Sequence, residues 1–298
     1  MRGEGWLFSW QEPQPGLRLP PERFSRIGMT KRLILAIIIL LSLSRCALAA
    51  GTGRIVSLAP NVTEILYSLG LEKRVVAVTD FCDWPPEAKS KPKVGGMVNP
   101  SLEAIVRMKP DIVIMAQDGN PKELEERIRG LGINTYVVRA KRLRELPGEI
   151  ERLGKALKVE KKAEKLSFEI ENAIAGLRKR NPAKTGSRAL FIVWPEPLIV
   201  AGPGTAINDA LELLGWENIA KDAAAEYPKY SIDEIIIRSP QVIFMAKGHD
   251  ASFDRRLLKK LSGVRAVKEG RVYYLGDPIM RLSPRIVEGI REMAAYGN

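Results

Sequence analysis

The sequence predicts an α/β protein of two Rossmann-like lobes with mainly parallel sheets, joined by one long backbone helix. Three observations predict it. SLEAIVRMKPDIVIMA at 101–116 returns as SIDEIIIRSPQVIFMA at 231–246, each with Ser first, an acid third, Pro tenth and Met-Ala last. Short apolar runs alternate with amphipathic stretches in both halves, the pattern of sheets flanked by helices. The stretch between the halves has no strand signal and one apolar stripe at helical spacing.

In the first copy, Leu102, Ile105, Val106 and Met108 recur at helical spacing, and Ser101 is placed to cap the helix. Lys109-Pro110 ends it, because the residue before proline is pushed out of the helical region. Ile112-Val113-Ile114-Met115 is then an unbroken apolar run, suited to a strand covered on both faces. The second copy repeats these steps from Ser231 through the stop at Pro240 to a strand at 242–245. Earlier in each half a strand (54–58, 189–193) leads to an amphipathic helix closed by glycine (61–70, 206–215). Late strands are expected at 133–138 and 271–275. Both halves therefore read strand, helix, helix, strand, helix, strand. The first is longer by an insert holding an extra strand at 75–78 and the loop DFCDWPPEAKSKPKVGG. Ala163, Leu166, Ile170, Ala173, Ile174 and Leu177 mark the connecting helix over 161–180, roughly 30 Å long at 1.5 Å per residue. A helix packed across both lobes acts as a stiff spine and predicts little lobe closure.

The segment from Met29 has the layout of a secretory signal: Lys31 and Arg32, an apolar run over 33–43, then Ala47-Leu48-Ala49 as a cleavage site. An uncleaved anchor is the alternative, and Arg45 before Cys46 is wrong for a lipoprotein. Residues 1–28 read as an extension ahead of the true start, 29–49 as the signal and 50–142 as the N-terminal lobe. Residues 143–182 read as the inter-lobe helical segment and 183–298 as the C-terminal lobe. The net charge is +12. Cleavage would lower it to about +8. The basic residues are scattered among acids, which indicates a solvated surface and no nucleic-acid partner. Export places the chain in a periplasmic or extracytoplasmic compartment, with membrane tethering the alternative.

Cys82 would be the only cysteine after cleavage, so no internal disulfide is expected, and it reads as a packed small residue. His249 is the only histidine, so a multi-imidazole metal site cannot be assembled. There is no GxSxG and no phosphate loop GxxxxGK[ST], which speaks against an enzyme. Gly202-Pro203-Gly204-Thr205 reads as a turn, with anion binding the alternative. Ligands of parallel α/β sheets bind outside the carboxyl ends of the strands. The loops there gather Phe81, Asp83, Trp84, Gly96, Met97 and Gln117 in the first half and Trp194, Tyr227, Tyr230 and Arg281 in the second. Aromatic faces with a few polar groups suit a wide, flat, apolar ligand. Arg281 would meet an anionic ligand group or pair with Asp277. His249 is either a single axial metal ligand or solvated. Asn61-x-x-Glu64 has the spacing of a capping box.

RIVSLAPNVTEILYSLG, TDFCDWPPEAKSKPKVGG, the two repeat copies and RLSPRIVEGI together resemble the solute-binding proteins of metal-chelate ABC importers, whose members take cobalamin, siderophores or haem. The likeness covers residues 53–296 and leans toward the cobalamin branch through CDWPPEA. It implies a two-lobed fold with the chelate held in the inter-lobe cleft, and no resident cofactor. It implies a free monomer that docks on a permease dimer with ATPase subunits. Phe81 matches an aromatic cleft position of cobalamin-binding relatives. Trp194 falls near another, though the alignment slips by a residue, and a further cleft tryptophan is replaced around Pro278. The site set so implied is Phe81, Asp83, Trp84, Gly96, Met97, Gln117, Trp194, Tyr230 and Arg281. Glu103 and Asp233 match the acids that pair with permease arginines, Asp233 standing where relatives usually have Glu. From the residues alone, both are first-turn acids that favour the helix dipole.

Overall fold

The computed structural model describes residues 53–180, 186–248 and 251–296. The extension, the signal segment and His249 lie outside the described residues. The first sheet is fully parallel in the order β2-β1-β3-β4, from β1 (Ile55–Ser57), β2 (Val75–Val78), β3 (Ile112–Ala116) and β4 (Asn134–Val138). Helices α1 (Pro60–Ser68), α2 (Leu102–Arg107) and α3 (Lys122–Gly130) flank it. The apolar run 112–115 forms β3, buried along most of its length. Ser101 caps α2 as its position predicts, its Oγ accepting from Ala104 N at 3.2 Å.

The second sheet is built on β5 (Ser187–Pro195), with β8 (Val242–Ala246) and then β9 (Val272–Leu275) on one side. On its other side β5 pairs in parallel with β7 (Trp216–Asn218) and antiparallel with β6 (Leu198–Val200). Its helices are α6 (Ala206–Leu213), α7 (Ile232–Arg238), α8 (Ala251–Lys260) and α9 (Arg265–Lys268), and α10 (Ile286–Ala294) follows β9. Ser231 caps α7 in a full capping box: Glu234 N donates to Ser231 Oγ at 3.1 Å, and Ser231 N donates to the Glu234 carboxylate at 3.1 Å.

The sequence pattern mistakes one correspondence. Residues 75–78 do form a strand, β2, but it is not unmatched, because β7 holds the same edge position beside β5. Three residues, Trp-Glu-Asn, are too short to show a strand period. The short antiparallel β6 is hidden for the same reason.

The inter-lobe helix is α5 (Glu160–Arg180), 21 residues, within one residue of expectation at its start. It pairs with α4 (Leu146–Ala156), which lies within the 143–182 segment expected to be helical. A Cβ on Gly154 would lie 2.2 Å from the Cβ of Ala163, so the two helices touch through their backbones there. Ala163, Ile170 and Leu177 are buried, and Leu166, Ala173 and Ile174 pack against the same core. That core takes Val62 and Leu66 of the first lobe, Leu146, Ile150 and Leu153 of α4, and Phe191, Leu211 and Ile290 of the second lobe. One face of each sheet thus meets the spine. The opposite faces carry separate cores, around Ile105 and Val113 in the first lobe and Ile235 and Ile243 in the second.

Candidate functional site

The loops leaving the carboxyl ends of the strands meet across a crevice between the lobes. In the first lobe Asn120 fixes them. Its Oδ1 accepts from Ala116 N at 2.8 Å, and its Nδ2 donates to Leu58 O at 3.0 Å and Met97 O at 2.7 Å. Three successive loops are thus tied to one amide. Gly95 sits at φ +98°, a turn that favours glycine, and the Gly96 Cα faces Phe81 and Asn99. Met97 lies over Gly119, where a Cβ would approach its Sδ to 2.7 Å. Lys93 Nζ donates to Thr79 O and Cys82 O at 3.2 and 3.1 Å and holds the loop that carries Phe81. Cys82 is a buried packing residue as expected, with Thr63 Oγ1 donating to its Sγ at 3.1 Å.

Phe81 is 62% exposed, Trp194 48% and Tyr227 47%, unusual for side chains whose burial is strongly favoured. Trp194 is held by its Nε1 donating to Glu196 O at 2.8 Å. Tyr227 reaches solvent, yet burial among the protein walls pushes its phenol up to about 12, with Asp118 and Glu226 adding to the effect. Desolvation likewise pushes the Asp118 carboxyl above its usual value. The Tyr227 phenol of the second lobe thus lies within the field of Asp118 of the first.

One edge of the crevice is closed by a buried ionic cluster. Arg281 Nη1 donates to Asp83 Oδ1 at 2.6 Å and Glu64 Oε1 at 3.0 Å, and its Nη2 to Asp277 Oδ2 at 3.1 Å. Ser283 Oγ donates to the other Glu64 oxygen at 2.5 Å, and Arg285 Nη1 adds a bond at 3.2 Å. The Arg285 guanidinium also lies 4.1 Å from the Trp84 ring centroid. Glu64 is 1% exposed, and Arg281 and Arg285 are 15% and 16% exposed. Burial alone would lower the Arg281 pKa, but its hydrogen bonds to Asp83 and Glu64 outweigh that and raise it. Burial pushes Asp83 up, but the Arg281 hydrogen bond and charge outweigh that and leave it below the usual carboxylate range. The other edge is more open. Lys141 Nζ donates to Glu226 Oε1 at 2.8 Å with both side chains more than a third exposed. Beside it Arg142 grips Asp209 with two nitrogens, Nε lying 2.7 Å from Oδ1.

The structure brings Phe81, Gly96 and Met97 together and leaves Trp194 open on the second lobe. It corrects other members of the set. Tyr230 is 9% exposed in the outer core of the second lobe, its hydroxyl donating to Ile219 O at 3.3 Å, so it does not open into the cleft. Arg281 pairs with Asp277, and also with Asp83 and Glu64, which commits both Arg281 and Asp83 to joining the lobes. Trp84 is pinned by Arg285 and lines a lateral cavity of ≈ 640 Å³ that runs along α1 to Glu72. Gln117 is exposed but lines a hollow of ≈ 200 Å³ with Lys122, Glu125 and Arg139. Glu64 makes no capping box, since Ala59 is the N-cap of α1 and caps without its side chain. Gly202-Pro203-Gly204-Thr205 is a turn: Thr205 Oγ1 donates to Gly202 O at 2.9 Å and accepts from Asn208 N at 3.0 Å. Sequence reasoning counted Tyr227 and Asp118 in the loops at the strand ends but left both out of the site set, and it named neither Ser283 nor Arg285 as a site residue.

Two sheet-and-helix lobes on a stiff bridge, with exposed aromatics around a crevice at the strand ends, define a cleft-type solute-binding protein. The chain belongs to the periplasmic binding protein family, whose profile matches residues 55–279. It is 30% identical over 249 residues to a vitamin B12-binding protein of Vibrio cholerae serotype O1, across 82% of this chain and 88% of that one. The crystal structure of the periplasmic vitamin B12-binding protein of Vibrio cholerae matches at TM-score 0.70 and 28% identity, over 82% of this chain and 96% of that chain. A periplasmic haem-binding protein from Roseiflexus sp. RS-1 in apo form matches at TM-score 0.74 and 26% identity, over 83% and 98%.

Proposed function

We propose that this chain is an extracytoplasmic solute-binding protein that captures cobalamin or another corrinoid in the inter-lobe cleft. It delivers that cargo to an ABC importer, a permease dimer driven by ATPase subunits. The observation that carries the reading is the trio of open aromatics around the crevice, Phe81 from one lobe and Trp194 and Tyr227 from the other. A corrin offers a broad apolar face to such rings and amides at its rim to polar neighbours. The kinship with vitamin B12-binding proteins supports the same ligand. The corrinoid is cargo and no catalytic step is assigned. The protein acts as a monomer when free. Glu103 and Asp233, exposed in the first turns of α2 and α7, face the permease and set encounter rate and register by charge.

Haem or a ferric siderophore is the second reading, favoured by the Roseiflexus relative. Haem iron calls for an imidazole, thiolate, thioether or phenolate ligand. The sequence has one histidine. An anionic siderophore calls for cations. Arg281 and Lys247 are both engaged by the chain's own carboxylates.

Equilibrium titration of the protein with cobalamin, haem and a ferric hydroxamate tests the reading. Saturable binding of cobalamin in preference to the others is expected, weakened about tenfold or more by Phe81→Ala or Trp194→Ala. Preference for haem or the hydroxamate contradicts it.

A further inference from the structure

A second hollow lies beside the cleft, on the flank of the first lobe. Glu64, Tyr67 and Ser68 are spaced by three and four on α1 and form one stripe. Across from it run Trp84, Pro85 and the turn Pro86–Ser90, and the lateral cavity of ≈ 640 Å³ lies between. At one end Arg285 stacks on the Trp84 ring. At the other, Lys91 Nζ donates to Glu72 O at 2.8 Å and ties the turn to the loop after α1. Phe81, Met97, Trp194 and Tyr227 are not among the walls, which separates this hollow from the aromatic cleft.

The polar groups of its walls divide into engaged and free. Both oxygens of Glu64 are held by the latch, and Arg285 is held by Glu64 and Trp84. The carboxylates of Glu72 and Glu87 make no hydrogen bond or ion pair among the described residues. The Tyr67 hydroxyl is shut off from water with no hydrogen-bond partner among them. Burial raises its pKa, and Glu87 and Glu72 raise it further, so both carboxylates bear on that hydroxyl. Two free carboxylates outweigh the ammonium of Lys91, and a walled hollow strengthens their field over that of an open surface. The described residues hold no group of three His, Cys, Asp or Glu side chains placed to grip a metal ion. An ammonium, with three N–H donors, suits two carboxylates and a phenol oxygen. The rest of the wall is apolar, from the Tyr67 ring through Pro85 to the Trp84 ring.

We infer that this cavity is a second ligand site, which takes a primary organic ammonium on a flat or apolar body. The ammonium lies against Glu72 and Glu87 and donates to the Tyr67 hydroxyl oxygen. The body lies along Pro85 and the Trp84 ring, in a volume suited to a small organic molecule. A buried hydroxyl without a partner costs stability, and an occupant that supplies one recovers it. The site shares Trp84 and Arg285 with the latch, so an occupant braces the joined lobes and raises the melting temperature by linkage. It is independent of the cargo assigned to the cleft.

Calorimetric titration of the protein with phenethylamine tests this, beside hydrocinnamate as an anion of like shape and phenethyl alcohol as the uncharged analogue. Saturable binding of the amine is expected, with a Kd of about 1 mM or below, and binding of the other two at least about tenfold weaker. Joint Glu72→Gln and Glu87→Gln substitution is expected to weaken the amine about tenfold or more, and Tyr67→Phe about threefold. Without the amine, Tyr67→Phe is expected to melt no lower than wild type, because its hydroxyl has no bond to lose. Trp194→Ala, in the second lobe, is expected to leave amine affinity unchanged. No saturable amine binding overturns the proposal, and so does hydrocinnamate binding as tightly as the amine. Wild-type amine affinity in the double Gln variant also overturns it. A loss of amine affinity in Trp194→Ala would place the amine in the cleft and overturn the separate site.

Discussion

The two edges of the cleft use the same chemistry in different surroundings. At one, Glu64 is 1% exposed among Arg281, Arg285 and Ser283. At the other, Lys141 and Glu226 meet with 37% and 40% of their side chains in solvent. Solvated pairs contribute little, because water screens them and long side chains lose freedom in forming them. Buried groups are different. Their desolvation has already been incurred, so removing one member leaves the others charged and unpaired. The Glu64 cluster therefore acts as a latch between the lobes, and the Lys141–Glu226 pair as a guide.

Breaking the latch should give the largest effect. Glu64→Ala leaves Arg285 and Ser283 without their buried acceptor and takes one of three carboxylates from Arg281, and a loss of about 3–5 kcal/mol in denaturant unfolding is expected. Glu64→Gln should recover part of it by keeping the Ser283 hydrogen bond. A melting curve unchanged by Glu64→Ala would show that the latch carries no stability. Next comes the tie that uses no charge at all. Gly154→Ala drives a methyl into Ala163 at the α4–α5 contact, and a cost of about 1–3 kcal/mol is expected from overpacking. Comparing it with Glu64→Ala measures how far spine packing and the latch share the work.

The acid side of the latch predicts a pH window. Asp83 is held below its usual value, so its contribution is present above the unfolded carboxylate pKa of about 4 and is lost as pH falls through the folded one. The melting temperature of Asp83→Asn should lie below that of wild type near neutrality, with the gap closing in acid. A gap that does not depend on pH would assign the effect to packing. Lys141→Ala should matter least, under about 1 kcal/mol. A loss as large as that of Glu64→Ala would erase the distinction between the edges.

Much of this architecture could be read from residue patterns, because those patterns are local. The spine's stripe, the Ser101 and Ser231 caps and the apolar strands at 112–115 and 242–245 each depend on neighbours a few positions away. The latch could not be read in that way. Glu64 and Ser283 meet across most of the chain, and the capping-box spacing at Asn61 offered a local partner that the fold does not use. Tyr230 misled for a related reason. An aromatic beside a strand end suits both cleft and core, and only packing against Ile219 and Arg238 decides between them. The three-residue strands β6 and β7 were too short to carry any period.

The central claim is a cleft that takes its cargo between lobes already fixed by a spine and a buried latch. Small-angle scattering with and without saturating cobalamin tests it most directly. The account predicts saturable binding with an unchanged radius of gyration. A radius that contracts strongly on binding would mean that the lobes hinge shut, and would contradict it.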